Sequence, residues 1–325
     1  MSCIEIHALS KSYNSVVAVD AVDLNVKSGQ VFGFLGPNGA GNSTLIKLLT
    51  TLIQPNNGTI SVLGINALEE PLEIRKKIGV VLQQPSYEPT LTVEKSLEKY
   101  GMMWNVDKKI RKERTEQLLE SFELTEIRKK NMEDLSIGQR RRVQVAREFM
   151  HDMDLLFLDE PTVGLDPSAR RKLLDFLKTK VKETGMTIFY TTHVLTEAEY
   201  LCDNIAIINN GKIITVDSPN ELKNRFGNEK TIKIHVSEDI KKLESLLQEI
   251  PDCKIEQNDG VIITIHSSNS EIVLMNILKI LNQNNIAIDD LSAMPTNLEE
   301  IFLKVVSDSD AVSYTHLTLP TIYSV

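Results

Sequence analysis

The sequence predicts an α/β protein in two parts: a largely parallel sheet covered by helices on both faces and carrying a helical insertion, followed by a smaller α+β unit. Three observations predict this fold class. Up to about residue 224, short apolar runs alternate with amphipathic segments, which is typical of buried parallel strands joined by helices. A glycine-rich segment links one of these runs to a helix. Beyond residue 228, the pattern changes to a β-α-β-β-α-β order.

The first part is predicted from five apolar runs that are bounded by turn residues. Short apolar runs of this kind fit fully buried strands, and they lie at residues 31–35, 78–82, 155–158, 187–191 and 204–208. Between residues 93 and 150, charged and apolar residues recur at helical spacing without a strand-like run. We therefore expect a first domain over residues 1–225, with a helical subdomain at about residues 90–150.

The second part is expected to follow a linker at residues 226–228 and to form a domain over residues 229–307. Its first strand alternates apolar residues at Ile232, Ile234 and Val236, and Asn258-Asp259-Gly260 indicates a hairpin turn. The other elements are predicted as helices 239–250, 271–281 and 297–306 and strands 254–257, 261–267 and 286–291. This order is that of a ferredoxin-like unit.

Composition predicts an ordinary soluble protein: of the 325 residues, 42% are hydrophobic and 25% are charged. No apolar run approaches the roughly 18 residues that span a bilayer. The first residues lack the basic segment and apolar core of a signal peptide. The cysteines are too scattered for a metal or disulfide pattern and fit a reducing cytosol; they are Cys3, Cys202 and Cys253.

The charge balance argues against nucleic acid as the main partner, because the net charge is −9. Short basic clusters do occur at residues 75–77, 128–130 and 140–142. Each cluster stands beside apolar residues at helical or strand spacing. We therefore expect all three to be solvated faces of ordinary elements rather than a nucleic-acid site.

The last residues do not fit the pattern of the rest of the chain. Residues 312–321 match the translation of the transposase adapter used in sequencing libraries, and residues 322–325 fit an index and the start of the next adapter. We expect residues 312–325 to be a translated adapter that contributes nothing to the fold. In that case the adapter stands in place of the native C-terminus.

The glycine-rich segment carries the strongest chemical signal. It follows the apolar run 31–35, precedes an amphipathic run at 44–52, and reads Gly36-Pro37-Asn38-Gly39-Ala40-Gly41-Asn42-Ser43-Thr44. This strand–loop–helix order is that of a phosphate-binding loop, in which glycines let successive backbone N–H groups turn towards an anion at a helix N-terminus. The pattern therefore predicts a nucleotide-binding site.

The loop departs from its pattern at one position, where Asn42 replaces the lysine. That lysine would have placed a positive charge on the β- and γ-phosphates. Losing one preorganised donor to transition-state charge costs about 3–4 kcal/mol, or about 10²–10³-fold in rate. Because the cradle of N–H groups remains, we expect nucleotide binding to be weakened and hydrolysis to be impaired.

Two carboxylates end the apolar run 155–158. Asp159, at the carboxyl end of a strand beside the phosphate loop, suits a role near Mg²⁺. Glu160 suits a general base that faces an attacking water. Two acids at a strand end are also common in a turn or helix cap, and the upstream loop is what favours the first interpretation.

Other segments are weak signals when taken singly. Leu135-Ser136-Ile137-Gly138-Gln139 precedes a helix expected near Arg140, where its hydroxyl and N–H groups would either meet an anion or cap the helix. Gly164-Leu165-Asp166 precedes another helix, and Gln83 and His193 each follow an apolar run. None of these segments predicts a function alone.

Together, the segments resemble the nucleotide-binding subunit of ABC transporters over about residues 4–220. The correspondence runs in the family's order. Tyr13 matches the aromatic residue that stacks on adenine, residues 36–44 match Walker A, and Gln83 matches the Q-loop glutamine. Residues 135–139 match the signature, with Ile137 replacing the usual glycine, and Asp159 and Glu160 match Walker B and its catalytic base. Residues 164–166 match the D-loop, and His193 matches the switch histidine. Residues 295–303 resemble the appendage of daunorubicin-resistance-type exporter ATPases. The resemblance implies a P-loop NTPase cassette followed by a small ferredoxin-like domain.

The resemblance also implies ligands and partners. Two ATP-binding subunits, alike or different, would face each other head to tail around ATP and Mg²⁺ and would drive a permease formed by a separate chain. The subunit would then lie in the cytoplasm, at the inner face of the membrane. Mg²⁺ would be held by Ser43, Gln83 and Asp159, while Glu160 polarises water and His193 holds the γ-phosphate. The signature and D-loop residues would bind the partner's nucleotide, namely Ser136, Gly138, Gln139 and Asp166.

Several alternatives stay open. Three explanations of Asn42 compete. The first is a sequencing or assembly error, since lysine and asparagine codons differ only at the third base; the second is a degenerate site in a heterodimer; and the third is a weakly active homodimer. The first and second are comparable. ABC ATPases of translation usually carry two cassettes, and those of DNA repair insert a long coiled coil for which residues 42–135 leave no room. A non-hydrolysing regulator is supported by Asn42 alone. The leading hypothesis is the ATPase subunit of an exporter with an unidentified cargo.

Overall fold

The structure, a computed structural model, describes residues 2–84, 86–226, 230–235, 240–247, 250, 254–258, 262–267, 270–284, 286, 289–295 and 297–315. The chain separates into two compact units, Met1–Ser218 and Pro219–Val325. The first unit ends before the boundary expected at residue 225, because helix α8 (Pro219–Phe226) contacts helix α11 (Leu298–Thr315) of the second unit. Of the expected linker 226–228, only Phe226 lies within the described residues.

The first unit is built around a six-stranded sheet. Its strands are β3 (Val31–Leu35), β6 (Ile78–Val81), β7 (Leu155–Asp159), β8 (Thr187–Thr191), β9 (Asn204–Asn209) and β10 (Lys212–Asp217). The order is β10-β9-β3-β8-β7-β6. The predicted apolar runs form its parallel strands, and β10 pairs antiparallel at one edge. Every residue of β3, β7 and β8 is buried, as expected of strands covered on both faces.

A second sheet of the first unit was not predicted. It is antiparallel, in the order β2-β1-β4-β5, and consists of β1 (Ser2–Tyr13), β2 (Val16–Lys27), β4 (Asn57–Val62) and β5 (Ile65–Asn66). Register shifts interrupt the pairing of β1 with β2, and Ala8 and Ala21 both have a φ of 46°. Because each bulge moves the following side chains to the other face, alternation is confined to short stretches. One such stretch, residues 22–27 of β2, is a strand signal that was overlooked.

The helices of the first unit confirm the predicted helical insertion. They are α1 (Asn42–Leu49), α2 (Pro71–Arg75), α3 (Val93–Met103), α4 (Lys108–Ser121), α5 (Ile137–Glu148), α6 (Pro167–Thr184) and α7 (Leu195–Leu201). Residues 93–148 hold α3, α4 and α5 and no described strand. Thr92, Asp107, Ser136 and Asp166 cap helices with their side chains, which satisfies N–H groups that lack helical acceptors.

The basic cluster at residues 140–142 is not the solvated face that we expected. Arg141 is only 5% exposed, and its guanidinium donates to three main-chain carbonyl oxygens, those of Leu82, Gln83 and Glu160. Arginine has five N–H donors in a fixed fork, so it can satisfy several carbonyls where α5 meets the ends of β6 and β7. A run of basic letters does not distinguish this buried role from a solvated one.

The second unit confirms the predicted β-α-β-β-α-β order. Its elements are β11 (Lys230–His235), α9 (Ile240–Leu247), β12 (Lys254–Asn258), β13 (Ile262–Ser267), α10 (Ser270–Gln283) and β14 (Asp290–Pro295), followed by α11. The antiparallel sheet has the order β12-β13-β11-β14. Ile232, Ile234 and Ile265 of the sheet pack with the buried faces of α9 and α10. Val236, Asp259 and Gly260 lie outside the described residues.

Two boundaries of the second unit differ from the prediction. The last strand was expected at residues 286–291, but β14 spans Asp290–Pro295. Ile286 packs against the core without joining the sheet, since apolar character indicates burial and not strand pairing. Helix α11 ends at Thr315 and so includes residues 312–315, whereas residues 316–325 lie outside the described residues. The adapter origin of the tail stays a prediction. No helix in the described part of the chain is long and apolar enough to cross a membrane.

Candidate functional site

A cavity of about 220 Å³ lies at the carboxyl ends of β3, β7 and β8. The carboxyl ends of parallel strands meet at one edge of a sheet, which is where ligands bind in open α/β folds. The cavity is lined by the phosphate loop and by the residues that follow the strands: Ala18, Gly36, Pro37, Asn38, Gly39, Gly41, Asn42, Ser43, Thr44, Gln83, Asp159, Glu160, Thr191, Thr192 and His193. The structure therefore brings together most of the predicted site residues.

The phosphate loop depends on glycine at the N-cap of α1. Gly41 has a φ of 115°, which lies outside the regions that residues with a Cβ readily adopt. A Cβ on Gly41 would also lie 2.3 Å from the carbonyl oxygen of Ala18. This close passage turns the chain into α1, whose first N–H groups have no acceptor within the helix and are available to an anion.

Replacing Gly41 with alanine is expected to disrupt the loop. Alanine at a positive φ costs on the order of 1–3 kcal/mol, and the collision with Ala18 adds to this strain, so the free energy of unfolding should fall by more than about 3 kcal/mol. Urea unfolding measures the loss. Gly39→Ala is the matched control, because Gly39 has a φ of 84° but open space around its Cβ position. Equal losses in both variants would contradict the steric argument.

Asn42 engages the loop itself. Its Nδ2 donates to the carbonyl oxygen of Gly36 over 3.3 Å, while its Oδ1 is buried without a hydrogen-bond partner among the described residues. The Asn42 amide therefore donates a hydrogen bond within the loop and adds no charge to the cavity. That Asn42 weakens the site stays a prediction.

A hydroxyl and a carboxylate lie side by side at the end of β7. Ser43 Oγ donates to Asp159 Oδ2 over 3.2 Å, and Thr191 Oγ1 donates to Asp159 Oδ1 over 2.6 Å. The described residues hold no group of three or more His, Cys, Asp or Glu that could bind a metal unaided. Mg²⁺ prefers one or two protein oxygens together with phosphate oxygens, so Ser43 and Asp159 fit Mg²⁺ bound with a nucleotide.

The predicted catalytic residues meet at one carboxylate. Gln83 Nε2 donates to Glu160 Oε2 over 3.2 Å, and His193 Nδ1 lies 3.3 Å from Glu160 Oε1. Glu160 itself has a φ of 49°, and its N–H donates to the carbonyl oxygen of Thr191 over 3.1 Å. The backbone of Glu160 is thus held in the left-handed region while its carboxylate faces the cavity.

Six predicted site residues do not line this cavity, namely Tyr13, Ala40, Ser136, Gly138, Gln139 and Asp166. Ser136 and Gln139 form a capping box at the start of α5, and Asp166 caps α6. A Cβ on Gly138 would lie 2.5 Å from the carbonyl oxygen of Gly164, so the signature and D-loop pack together. The cap interpretation of residues 135–139 is confirmed, and the binding of a nucleotide by either segment stays a prediction.

Sequence reasoning missed two residues that shape the site. Thr191, on the neighbouring strand, donates a hydrogen bond to the Asp159 carboxylate. Arg141, on α5, donates one to the carbonyl oxygen of Glu160. The signal for Thr191 is its place at the end of the apolar run 187–191, which meets Asp159 at the same edge of the sheet. The sequence offers no comparable signal for Arg141.

Comparisons with known proteins agree with this geometry. The family model described as "ABC transporter" matches residues 19–163, and the model "ATP-binding protein DrrA1-3-like, C-terminal domain" matches residues 218–306. The linearmycin resistance ATP-binding protein LnrL of Bacillus subtilis is 34% identical over 300 residues, which cover 91% of this chain and 96% of that protein. The chain belongs to the ABC transporter ATP-binding proteins.

Other relatives extend this result to both units. The daunorubicin/doxorubicin resistance ATP-binding protein DrrA of Streptomyces peucetius is 35% identical over 311 residues, or 92% of this chain and 91% of that protein. A solved ATP-binding subunit of an ABC transporter has a TM-score of 0.64 at 29% identity, covering 69% of this chain and 93% of that one. A dimeric bacterial ABC transporter cassette has a TM-score of 0.62 at 27% identity, with coverages of 66% and 98%. The predicted resemblance is confirmed, and the chain is an ABC-type ATPase.

A second cavity of the ABC cassette, of about 430 Å³, lies between the β6 edge of the sheet and helices α3 and α5. Its walls include Ile78, Val80 and Trp104 together with Arg75 and Arg147. The cavity also borders Gln84, the neighbour of Gln83. The two cavities are therefore lined by neighbouring residues of the Q-loop, Gln83 in the first and Gln84 in the second.

The second cavity contains a buried carboxyl group. Glu148 is 1% exposed and accepts hydrogen bonds from the Tyr100 hydroxyl over 2.7 Å and from the Val80 N–H over 3.3 Å. Burial raises the pKa of Glu148 to about 7, and its hydrogen bonds offset only part of that rise. Nearby, His151 stacks on Trp104 with ring centroids 3.9 Å apart, and burial lowers the pKa of His151 to about 4.

Replacing Glu148 with glutamine is expected to change how stability depends on pH. Between its usual pKa of 4.5 and the folded value of about 7, the folded chain keeps a proton that the unfolded chain has lost, so the parent loses stability as the pH rises. Glutamine removes this loss. The free energy of unfolding of Glu148→Gln, minus that of the unmodified chain, should therefore rise by on the order of 3 kcal/mol between pH 4.5 and 7.5. Urea unfolding of both chains at each pH measures this difference. The titration of His151 contributes to both chains and so cancels. A difference that does not change with pH would contradict the prediction.

Proposed function

We propose that this chain hydrolyses ATP to power a separate membrane permease that exports its cargo. The observation that carries the proposal is the single cavity in which the phosphate loop meets Gln83, Asp159, Glu160 and His193. Relatives named for linearmycin resistance, for daunorubicin and doxorubicin resistance, and for bacitracin transport support export as the direction of transport. The cargo itself is selected by the permease and is left open.

The chemistry follows from the residues around the cavity. The N–H groups at the start of α1 bind the phosphates. Ser43, Gln83 and Asp159 would hold Mg²⁺, which when bound would neutralise charge on the phosphates. Glu160 accepts a hydrogen bond from the attacking water and polarises it. His193, which lies against the same carboxylate, is placed to contact the γ-phosphate. Tyr13, which is 44% exposed, offers its ring to adenine.

A second copy or a related subunit completes the site. Ser136, Gly138, Gln139 and Asp166 lie outside the cavity of their own chain, so in a head-to-tail dimer they reach the nucleotide of the partner. A similar cassette has been solved as a dimer, which supports this arrangement. ATP between the two chains would favour the closed dimer, and hydrolysis would release it.

The permease is expected to dock at the second cavity, the one that borders Gln84 and lies between α3 and α5. Closure of the dimer moves the Q-loop, and a chain docked beside Gln83 would follow that movement. This places the subunit in the cytoplasm, at the inner face of the membrane. Purification of the tagged chain from membranes of its native cells should recover an integral membrane protein with it. Recovery only with ribosomes or DNA would contradict the exporter function.

Asn42 favours a second candidate, a degenerate subunit in a heterodimer whose other site is competent. Its amide is uncharged, and its donor is turned to Gly36. The rest of the catalytic set argues against a long-standing loss of hydrolysis. The cavity still contains Gln83, Asp159, Glu160 and His193. Comparing ATP hydrolysis by the unmodified chain and by Asn42→Lys separates the two candidates.

A further inference from the structure

We propose that Arg141 is a positioning residue for ATP hydrolysis: it fixes the backbone of Glu160 and of Gln83 in one arrangement. The proposal rests on the function proposed above. Arg141 does not line the nucleotide cavity, so it touches neither the phosphates nor the attacking water. It acts through the main-chain carbonyls of the residues that do.

The first observation is the set of acceptors around the guanidinium. Nη1 donates to the carbonyl oxygen of Leu82 over 2.8 Å, and Nη2 donates to the carbonyl oxygens of Gln83 and Glu160, each over 3.1 Å. Gln144 Oε1 accepts a further bond from Nη1 over 2.9 Å. Burial lowers the pKa of Arg141, against the opposite influence of Asp159 and Glu160. A buried cation is costly unless its donors form hydrogen bonds. Here the donors bind the main chain next to Gln83 and Glu160, the two catalytic residues.

The second observation is the backbone of Glu160. Its φ of 49° is uncommon for a residue with a side chain, and such conformations persist only where the surroundings enforce them. The N–H of Glu160 donates to Thr191, and its C=O accepts from Arg141. The peptide groups on the two sides of the strained residue are therefore fixed by different elements, β8 and α5.

The direction of the Glu160 side chain follows from this backbone. Relaxation of φ to an ordinary negative value would swing the carboxylate away from Gln83 Nε2 and His193 Nδ1, which it now meets at 3.2 and 3.3 Å. Because Arg141 also holds the carbonyl of Gln83, one side chain sets both partners of that contact. Arg141 lies on α5, the helix that Ser136 caps, so the same side chain ties the signature helix to the general base.

The test uses the full chain carrying Asn42→Lys as the reference enzyme. Arg141→Lys keeps the charge but cannot bridge three carbonyls, so kcat should fall by about 10²-fold, as for a small misplacement of catalytic groups, while KM for ATP stays within about twofold because no phosphate contact is lost. Arg142→Lys is the matched control: Arg142 donates to the carbonyls of Phe122 and Glu123, away from the cavity. It should keep the reference kcat, and the two variants should have similar Tm values.

The outcomes are separable. If the reference enzyme is inactive alone, activity requires the permease or a different ATP-binding subunit, and the same variants are then compared in membranes that hold those partners. Inactivity of the reference there as well contradicts the proposed function and not the role of Arg141. An active reference with equal kcat in Arg141→Lys and Arg142→Lys, or a change in KM alone, overturns the role of Arg141. If Arg141→Lys unfolds, Gln144→Leu replaces it and leaves the cation in place. The change removes the hydrogen bond that Gln144 Oε1 accepts from the guanidinium, together with the two longer bonds that Nε2 donates to the carbonyl oxygens of Leu82 and Gln84. The kcat of Gln144→Leu should fall by about tenfold, the worth of one hydrogen bond to a charged group, and an unchanged kcat would overturn the proposal.

Discussion

Replacing Asn42 with lysine is expected to raise kcat for ATP hydrolysis by about 10²–10³-fold, because one preorganised donor to transition-state charge is worth that much. The lysine ammonium adds a positive charge where the parent has an amide whose Nδ2 is bound to Gly36. Affinity for ATP should rise as well, since the same charge meets the β- and γ-phosphates in the ground state. Phosphate release at saturating Mg²⁺–ATP and high protein concentration measures the effect.

Asn42→Gln is the matched control, since it lengthens the side chain without adding charge and should gain little. If the parent and Asn42→Lys hydrolyse ATP equally, the lysine is dispensable here and the interpretation of this loop is wrong. If neither chain hydrolyses ATP alone, activity requires the permease or a different ATP-binding subunit. If only Asn42→Lys hydrolyses ATP, Asn42 alone silences the site, and resequencing the source locus decides between a sequence error and a true degenerate site.

Replacing Glu160 with glutamine in the Asn42→Lys chain is expected to lower kcat by about 10²–10⁴-fold, the usual contribution of a positioned general base. The amide cannot take a proton from water, while Ser43, Asp159 and the N–H cradle are untouched. ATP affinity should therefore stay within a few fold. Because hydrolysis is what releases the proposed dimer, the variant should also accumulate as a dimer when ATP is added, as measured by size exclusion.

Glu183→Gln is a suitable control for this change, because Glu183 lies exposed near the end of α6 and pairs with Lys180. Its kcat should equal that of the reference chain. Retention of full activity by Glu160→Gln would exclude Glu160 as the base and would leave its contacts with Gln83 and His193 as structural ones.

The parallel sheet could be predicted because its strands are buried on both faces, so that burial alone produces an unbroken apolar run. The antiparallel β1–β2 pair was predictable only in part. Val22, Leu24 and Val26 alternate with exposed residues in β2, but bulges near Ala8 and Ala21 break the alternation elsewhere in the pair. The same limit explains the misplaced last strand, where Ile286 is apolar and packs against the core but lies before β14. Apolar runs report burial, and pairing depends on contacts that are distant in sequence.

The site was predictable to the extent that topology gathers it. Asp159, Glu160 and His193 follow strands that run in parallel, so their meeting with the phosphate loop follows from the fold class. The role of Arg141 was not predictable, because the residue type alone does not show whether an arginine side chain is buried or exposed to solvent. The partner-facing residues Ser136 and Asp166 cap helices in their own chain, and their contact with a nucleotide depends on a second chain.

Mixing two inactive chains tests most directly whether each nucleotide is enclosed by two copies. Both chains carry Asn42→Lys; one adds Glu160→Gln, and the other adds Ser136→Asp, which can still cap α5 but sets a negative charge against the partner's phosphates. In a mixed dimer, the intact cavity of the second chain faces the intact signature of the first. The mixture should therefore hydrolyse ATP although neither chain does so alone. A mixture as inactive as its components would contradict the shared site.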